Sequence, residues 1–171
     1  FRSPVAGSLH ALVADHVLHG RIIFPGVGYL ELARAAFTKA LQDVYFLQPL
    51  AIEAPGLHVE CAVSDSRFEV RSCEDETTGD ATLHCSGAAA ASKVWRYIDH
   101  ASLRIASRSA DVSALYDGFS KAGLQYGPRY RTLWQAWGGI SGALARLHPR
   151  STQDLSQMHP ADLDDALCII A

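Results

Sequence analysis

Apolar positions in this chain change their period along its length. Over residues 27–41, Val27, Leu30, Phe37 and Leu41 recur near 3.6 residues, and Ala33, Ala35 and Ala36 are small enough to let a sheet approach. The spacing predicts a helix over 27–41 that is wrapped by other elements. Pro25 stands at its start, where the N–H that proline lacks would have had no partner. Upstream, residues 1–15 carry the breakers Pro4 and Gly7 and one apolar patch, Leu9 to Val13, read as a strand or extended arm. From Asp43 to Ser92 the runs shorten to Val44–Leu47, Gly56–Val63, Arg67–Ser72 and Ala81–Ser86, split by proline, glycine and acidic turns. Those runs predict antiparallel strands.

The stretch from Gly87 to about Ser109 reads as a bridge: a glycine and an alanine run, then Lys93–His100, then a polar Ser/Arg segment. A second unit follows. Ser113–Ala122 predicts a short helix with Leu115, Phe119 and Ala122 on one side, Leu124–Tyr130 a Gly/Pro turn, and Thr132–Trp137 and Ile140–Leu147 two strands. His159–Ala171 predicts an apolar helix opened by Pro160, with Leu163, Leu167 and Ile170 as its core stripe. The chain thus divides into residues 1–92, a linker over 93–109, and residues 110–171, each unit built as a loop, a proline and a central helix.

Composition narrows the class. With 171 residues, 49% hydrophobic and 19% charged, the chain can bury a core and does not have the make-up of a disordered segment. A net charge of −3 with 15 scattered Lys and Arg gives no field that would draw in nucleic acid. Cys61, Cys73, Cys85 and Cys168 form no C-x2-C pair and read as reduced, packed thiols. The interval of twelve between the first three fits strands of a meander returning to one sheet face. No signal peptide and no apolar run of about 20 residues is present, so a cytoplasmic location and no membrane partner are expected. The chain begins at Phe1 without an initiator Met and reads as a piece of a longer polypeptide.

The chemistry is concentrated around His16. His16, Gly20 and Pro25 form a His-x3-Gly-x4-Pro pattern that leads directly into Gly26 and the first central helix. A base then lies beside a helix N-terminus, whose unpaired N–H groups and positive dipole end can hold a developing oxyanion. His16 and His19 could form a His-x2-His metal pair, but no further ligands converge in the sequence and no metal is expected. Two later stretches stand out: Gly123-Leu-Gln-Tyr126-Gly127-Pro128-Arg-Tyr130, and His159-Pro160-Ala-Asp-Leu-Asp164-Asp-Ala-Leu-Cys168.

Together these stretches resemble the motifs of dehydratase domains of modular polyketide synthases, which are related to the fatty acid synthase dehydratase. The first matches the family's His-x3-Gly-x4-Pro motif over about twenty positions. The second is similar to Gly-Tyr-x-Tyr-Gly-Pro-x-Phe, and the third to His-Pro-x-Leu-Leu-Asp-x-x-x-Gln/His. The resemblance spans essentially the whole chain and implies an α+β hotdog fold, in which a curled antiparallel sheet closes around a helix. Two tandem units would form a double hotdog, the second incomplete at its C-terminal side, where wrapping strands and a Leu-Pro-Phe-type motif are absent. It also implies a homodimer working with other domains of a megasynthase.

The implied reaction is loss of water from a β-hydroxyacyl chain on the phosphopantetheine arm of an acyl carrier protein, with no cofactor in this domain. His16 would take the α-proton and Asp164, five residues after His159, would protonate the β-hydroxyl; Asp162 and Asp165 are out of register. A neutral base and a protonated carboxyl must coexist near pH 7, which calls for an apolar pocket. The Gly26 N–H would hold the thioester carbonyl, Gly20 would serve its turn, and Tyr126 with Gly127 would line the pocket or hold the hydroxyl. Two departures are evident. Cys168 stands where the family has Gln or His, one turn after Asp164, where that residue orients the carboxylate, and Asp162 replaces a leucine. The alternatives are a non-catalytic dehydratase-like scaffold or dimerisation module, and a related product-template or double-bond-shifting domain. A single-hotdog thioesterase would not need two helix-start motifs.

Overall fold

A computed structural model describes residues 1–36, 40–74, 81–90, 97–105, 107–140, 142–150 and 158–169. The first part opens with a short strand β1 (Arg2–Pro4) and a helix α1 (Gly7–Val13). The patch Leu9 to Val13, expected to be extended, is therefore helical; only one face of it reaches the core, where Val13 is fully buried and Leu9 and Leu12 pack alongside. A hairpin follows, β2 (Val17–Leu18) and β3 (Arg21–Phe24). Its two-residue turn puts His19 at φ 48° and Gly20 at φ 78°, the left-handed pair that matches the twist of the flanking strands. This is the turn role expected of Gly20.

Helix α2 (Gly26–Ala36) begins directly after the fully buried Pro25 and buries Val27, Gly28, Tyr29 and Ala33. It is shorter than the 27–41 expected. The chain re-emerges as strand β4 (Ala40–Phe46), and Leu41 packs against the core from that strand rather than from the helix. Phe37, assigned to the helical stripe, lies outside the described residues. Strand β5 (Leu50–Ala51) pairs with β3. Strands β6 (His58–Ser64), β7 (Arg67–Cys73) and β8 (Thr82–Ala90) form the meander that the short runs between turns predict. The antiparallel order β1-β6-β7-β8-β4 makes a five-stranded sheet, and α2 packs on β4, β6 and β7.

The core between helix and sheet is a single cluster that includes Phe24, Tyr29, Ala33, Val59, Cys61, Phe68, Val70 and Cys85. Cys61 and Cys85 both pair with Val70 across adjacent strands and are buried. Cys73 has the opposite parity to the buried Val70 and Ser72 and is only half-buried, so the twelve-residue interval brings two of the three thiols to the core face. Burial pushes the Cys85 thiol up to about 12.

The stretch read as a linker is partly structured. It contains helix α3 (His100–Ile105) and the start of β9 (Arg108–Ala110), while residues 93–96 lie outside the described residues. Helix α4 (Val112–Lys121) is capped by Asp111, whose carboxylate accepts from the Ser113 and Ala114 amides. A single 3-10 turn at Pro128–Tyr130 leads into β10 (Leu133–Gly139) and β11 (Gly142–Leu147), and a second antiparallel sheet runs β11-β10-β9.

Helix α5 (Pro160–Cys168) is capped by His159, whose Nδ1 accepts from the Ala161 amide, with Pro160 in the first turn. Its buried residues are Pro160, Ala161 and Asp165. The expected stripe of Leu163, Leu167 and Ile170 is not the buried one: Leu163 is half-buried, Leu167 is exposed, and Ile170 lies outside the described residues. Helix α5 packs on α2.

Candidate active site

His16 sits between α1 and β2, and backbone bonds on both sides fix it: its amide donates to the Val13 carbonyl and its carbonyl accepts from Ile23. The ring is buried and its Nδ1 lies 2.6 Å from the Ile23 carbonyl oxygen. A carbonyl only accepts, so Nδ1 carries the hydrogen and donates, leaving the Nε2 lone pair of the neutral ring free to act as a base. Nε2 lies 3.6 Å from Asp164 Oδ2.

Asp164 reaches this position from the first half of α5, and the Tyr126 hydroxyl donates to its Oδ2. Tyr126 Oη is also 3.4 Å from Cys168 Sγ. Burial, followed by the bond to Asp164, pushes the Tyr126 hydroxyl upward, so it stays a donor. Cys168 thus meets the tyrosine that holds the carboxylate. The Tyr126 and Tyr130 rings flank the imidazole at 5.4 and 5.2 Å between centroids.

The loop carrying Tyr126 is tied to the His16 segment by backbone bonds. The His19 amide donates to the Gly123 carbonyl, the Gln125 amide to Val17, and the Gly127 amide to Asp15, while Gln125 Oε1 accepts from the Gly20 amide at 2.7 Å. Asp15 Oδ2 also accepts from the Arg129 amide at 2.8 Å. A Cβ at Gly127 would lie 2.5 Å from Asp15 Cγ, and one at Gly123 would lie 2.2 Å from the His19 ring. Both glycines therefore serve close approach. Gly127, expected with Tyr126 to line the pocket or hold the hydroxyl, gives its amide to the Asp15 carbonyl and so holds the loop. Pro128 opens the 3-10 turn that follows.

Gly26 opens α2, where the first N–H groups have no carbonyl one turn earlier. It lines, with His16, a cleft of about 320 Å³ whose other walls include Leu18, Phe24, Tyr29 and Phe46. An apolar cleft with a base and orphan amides at its wall suits an acyl chain whose carbonyl is polarised at the helix start. Asp164 and Tyr126 do not line this cleft; they meet His16 from the later part of the chain. A separate cleft of about 360 Å³, lined by Arg129, Arg131, His148 and Arg150, contains none of the three. Asp162 is taken up by Arg150, whose Nε donates to both carboxylate oxygens at 2.9 and 3.0 Å at the positive end of α5.

A family model described as the polyketide synthase dehydratase domain matches residues 1–74, and one described as the polyketide synthase dehydratase N-terminal domain matches residues 100–171. The chain belongs to the polyketide synthase dehydratase domain family. Among curated relatives, polyketide synthase ThaG of Burkholderia thailandensis is 34% identical over 175 residues, and PksN of Bacillus subtilis is 30% identical over 179. Each match covers 91% of this chain, and the chain spans 3% of the length of each relative. The dehydratase domain from the CurF module of curacin polyketide synthase superposes with a TM-score of 0.81 at 25% identity, covering 99% of this chain and 68% of that one. A trans-AT dehydratase domain from Brevibacillus brevis gives 0.82 at 25%, covering 98% and 67%.

The fold is thus the hotdog type of these dehydratases. Several residues that shape the site were not singled out from the sequence. Ile23 contributes a backbone carbonyl, which leaves no mark in residue type. Asp15 stands next to His16 and could have been noticed as a short acceptor beside a turn. Asp165 was passed over because its register excludes it from the dyad, yet it is fully buried. The family's phenylalanine in the second motif is Tyr130 here, and its buried hydroxyl has no hydrogen-bond partner among the described residues.

Proposed function

We propose that this dehydratase-family chain removes water from a β-hydroxyacyl thioester carried on the phosphopantetheine arm of an acyl carrier protein. The reading is carried by one observation: His16 Nε2, with Nδ1 bonded to the Ile23 carbonyl, faces the Tyr126-bound carboxyl of Asp164 at 3.6 Å. Elimination needs a base at the α-carbon and an acid at the neighbouring β-oxygen, and this spacing lets one small fragment touch both.

His16 Nε2 takes the α-proton. The thioester oxygen gains negative charge and is stabilised by the Gly26 N–H and the positive end of α2. Asp164 gives its proton to the β-hydroxyl, which leaves as water while the α,β double bond forms. With Oδ2 accepting from Tyr126, Oδ1 is the oxygen that carries the proton. His16 ends protonated and Asp164 ionised, and proton return to Asp164 resets the pair. Both proton carriers are side chains of this chain, so the step draws on no cofactor. In the same reading the chain is two tandem hotdog units, residues 1–92 and a second that begins with β9, working in the cytoplasm as part of a homodimeric megasynthase.

The test is incubation of the purified protein with a β-hydroxyacyl pantetheine thioester and with the same acyl group on a carrier protein. Loss of one water in the product mass is expected with both, faster on the carrier. No water loss from either, in folded protein with the His16–Asp164 pair intact, would favour the scaffold reading. A shifted double bond without water loss would favour the isomerase reading.

A further inference from the structure

The second carboxyl on α5 takes no part in the chemistry above, yet it is held by more partners than the first. Asp165 is fully buried, and its Oδ2 accepts from the Tyr116 hydroxyl at 2.7 Å, the Thr132 amide at 2.6 Å and Thr132 Oγ1 at 2.7 Å. The Tyr116 hydroxyl in turn accepts from the Leu133 amide at 3.0 Å. Tyr116 belongs to α4, and Thr132 and Leu133 lead into β10, so one carboxyl oxygen joins three elements. Arg131 extends the cluster towards the dyad: its guanidinium lies over the Tyr116 ring at 5.5 Å and its Nε donates to the Tyr126 carbonyl at 2.8 Å.

The apolar face of α5 is narrow: Pro160 and Ala161 are buried, Cys168 and Ile169 pack half-buried against the cluster of Tyr116, Tyr126, Tyr130 and Leu133, and Leu167 on the far side is exposed. Apolar contact is non-directional, whereas three hydrogen bonds onto one oxygen define a direction. Neighbouring helix residues point about 100° apart. A fixed Asp165 therefore fixes the direction of Asp164.

We propose that Asp165 is a positioning residue: its bonds to Tyr116 and Thr132 set the rotation of α5 about its axis and so hold the Asp164 carboxyl against His16 and Tyr126. This rests on the dehydratase reading of the dyad. An anchor that is merely structural changes stability; a rotational lock also changes turnover and the surroundings of His16 in protein that is still folded. Asn at this position keeps an acceptor for the three donors, and Ala keeps none.

The experiment compares Asp165→Ala, Asp165→Asn and Tyr116→Phe with the parent protein, each well below its own Tm. The readouts are kcat and KM on a β-hydroxyacyl pantetheine thioester and the 15N resonances of the His16 imidazole, assigned with His16→Ala. Asp165→Ala should lower kcat by up to about 10²-fold with KM nearly unchanged, and should move the His16 Nε2 resonance. Asp165→Asn should restore both close to the parent values. Tyr116→Phe, which removes one donor, should fall between, and in the Asp165→Ala background it should add nothing. Parental kcat and an unmoved resonance in folded Asp165→Ala would overturn the proposal, whatever happens to Tm. If Asp165→Ala does not fold, the same null result in Tyr116→Phe overturns it. Should the parent protein remove no water, the dehydratase reading fails on its own, and the His16 resonance still decides whether Asp165 sets the geometry.

Discussion

A backbone carbonyl selects the neutral tautomer of His16. The Ile23 oxygen holds the proton on Nδ1, so the Nε2 lone pair is turned toward Asp164 by a group that no side-chain motif records. The motif residues were legible as residues: His16, Tyr126 and Asp164 converge as their family pattern implies. Their supports were not, because Ile23 acts through its main chain and Asp15 through a contact more than a hundred residues away. Cys168 offers a first prediction. Its Sγ touches Tyr126 Oη, so Cys168→Gln should replace a weak thiol contact by a hydrogen bond to the side-chain amide of about 0.5–1.5 kcal/mol, with turnover held or raised a few-fold. A fall in both turnover and Tm would mean that the thiol is there to fill volume.

Tyr130→Phe removes a buried hydroxyl that has no partner among the described residues and should stabilise the fold by about 1 kcal/mol in urea unfolding, with activity kept. A clear loss of stability would show that the hydroxyl is bonded. His84 gives a pH prediction. It is buried, it donates from Nδ1 to the Gln48 carbonyl, and its Nε2 accepts from Ser72 Oγ, with burial holding the imidazole below its ordinary value. The unfolded chain therefore takes a proton before the native one does. Stability is full above about pH 6.5 and is lost as pH falls below it. His84→Gln should flatten that part of the profile of urea midpoint against pH, and an unchanged slope would assign it to other groups.

At the scale of elements, period and turn chemistry carried most of the reading and failed where tertiary contacts overrode them. The meander β6-β7-β8 and helix α4 follow alternation, turns and capping that are local in sequence. Helix α2 ends earlier than its apolar spacing indicates, because Leu41 serves the same core from β4, so a shared destination imitated a shared helix. In α5 the apolar residues marked the wrong stripe: the buried face runs through Ala161 and the hydrogen-bonded Asp165, and a polar residue that finds its partners only in α4 and β10 looks solvent-facing in sequence. The Tyr126 loop gives this scale its own prediction. Gly127→Ala would put a methyl group 2.5 Å from Asp15 Cγ and should push the loop off the His16 segment. Stability should fall by about 1–3 kcal/mol and turnover more than tenfold, read by thermal unfolding and by a water-loss assay. Unchanged turnover would show that the loop contact does not position Tyr126.

At the scale of the whole molecule, the two parts meet through the contact of α2 with α5 and through the backbone bonds between the His16 hairpin and residues 123–127. Neither part alone holds both His16 and Asp164, so their pairing exists only where the parts join. Among the described residues no helix is long and apolar enough to cross a membrane. The central claim is that His16 and Asp164 act as one acid–base pair on one substrate. Its most direct test is the single-turnover rate of water loss for the parent, His16→Ala, Asp164→Asn and the double variant, with folding checked by circular dichroism. Each single change should cost about 10²–10⁴ in rate, and the double variant should lose far less than the product of the two. Near-parental water loss in either single variant, with its fold intact, would contradict the account.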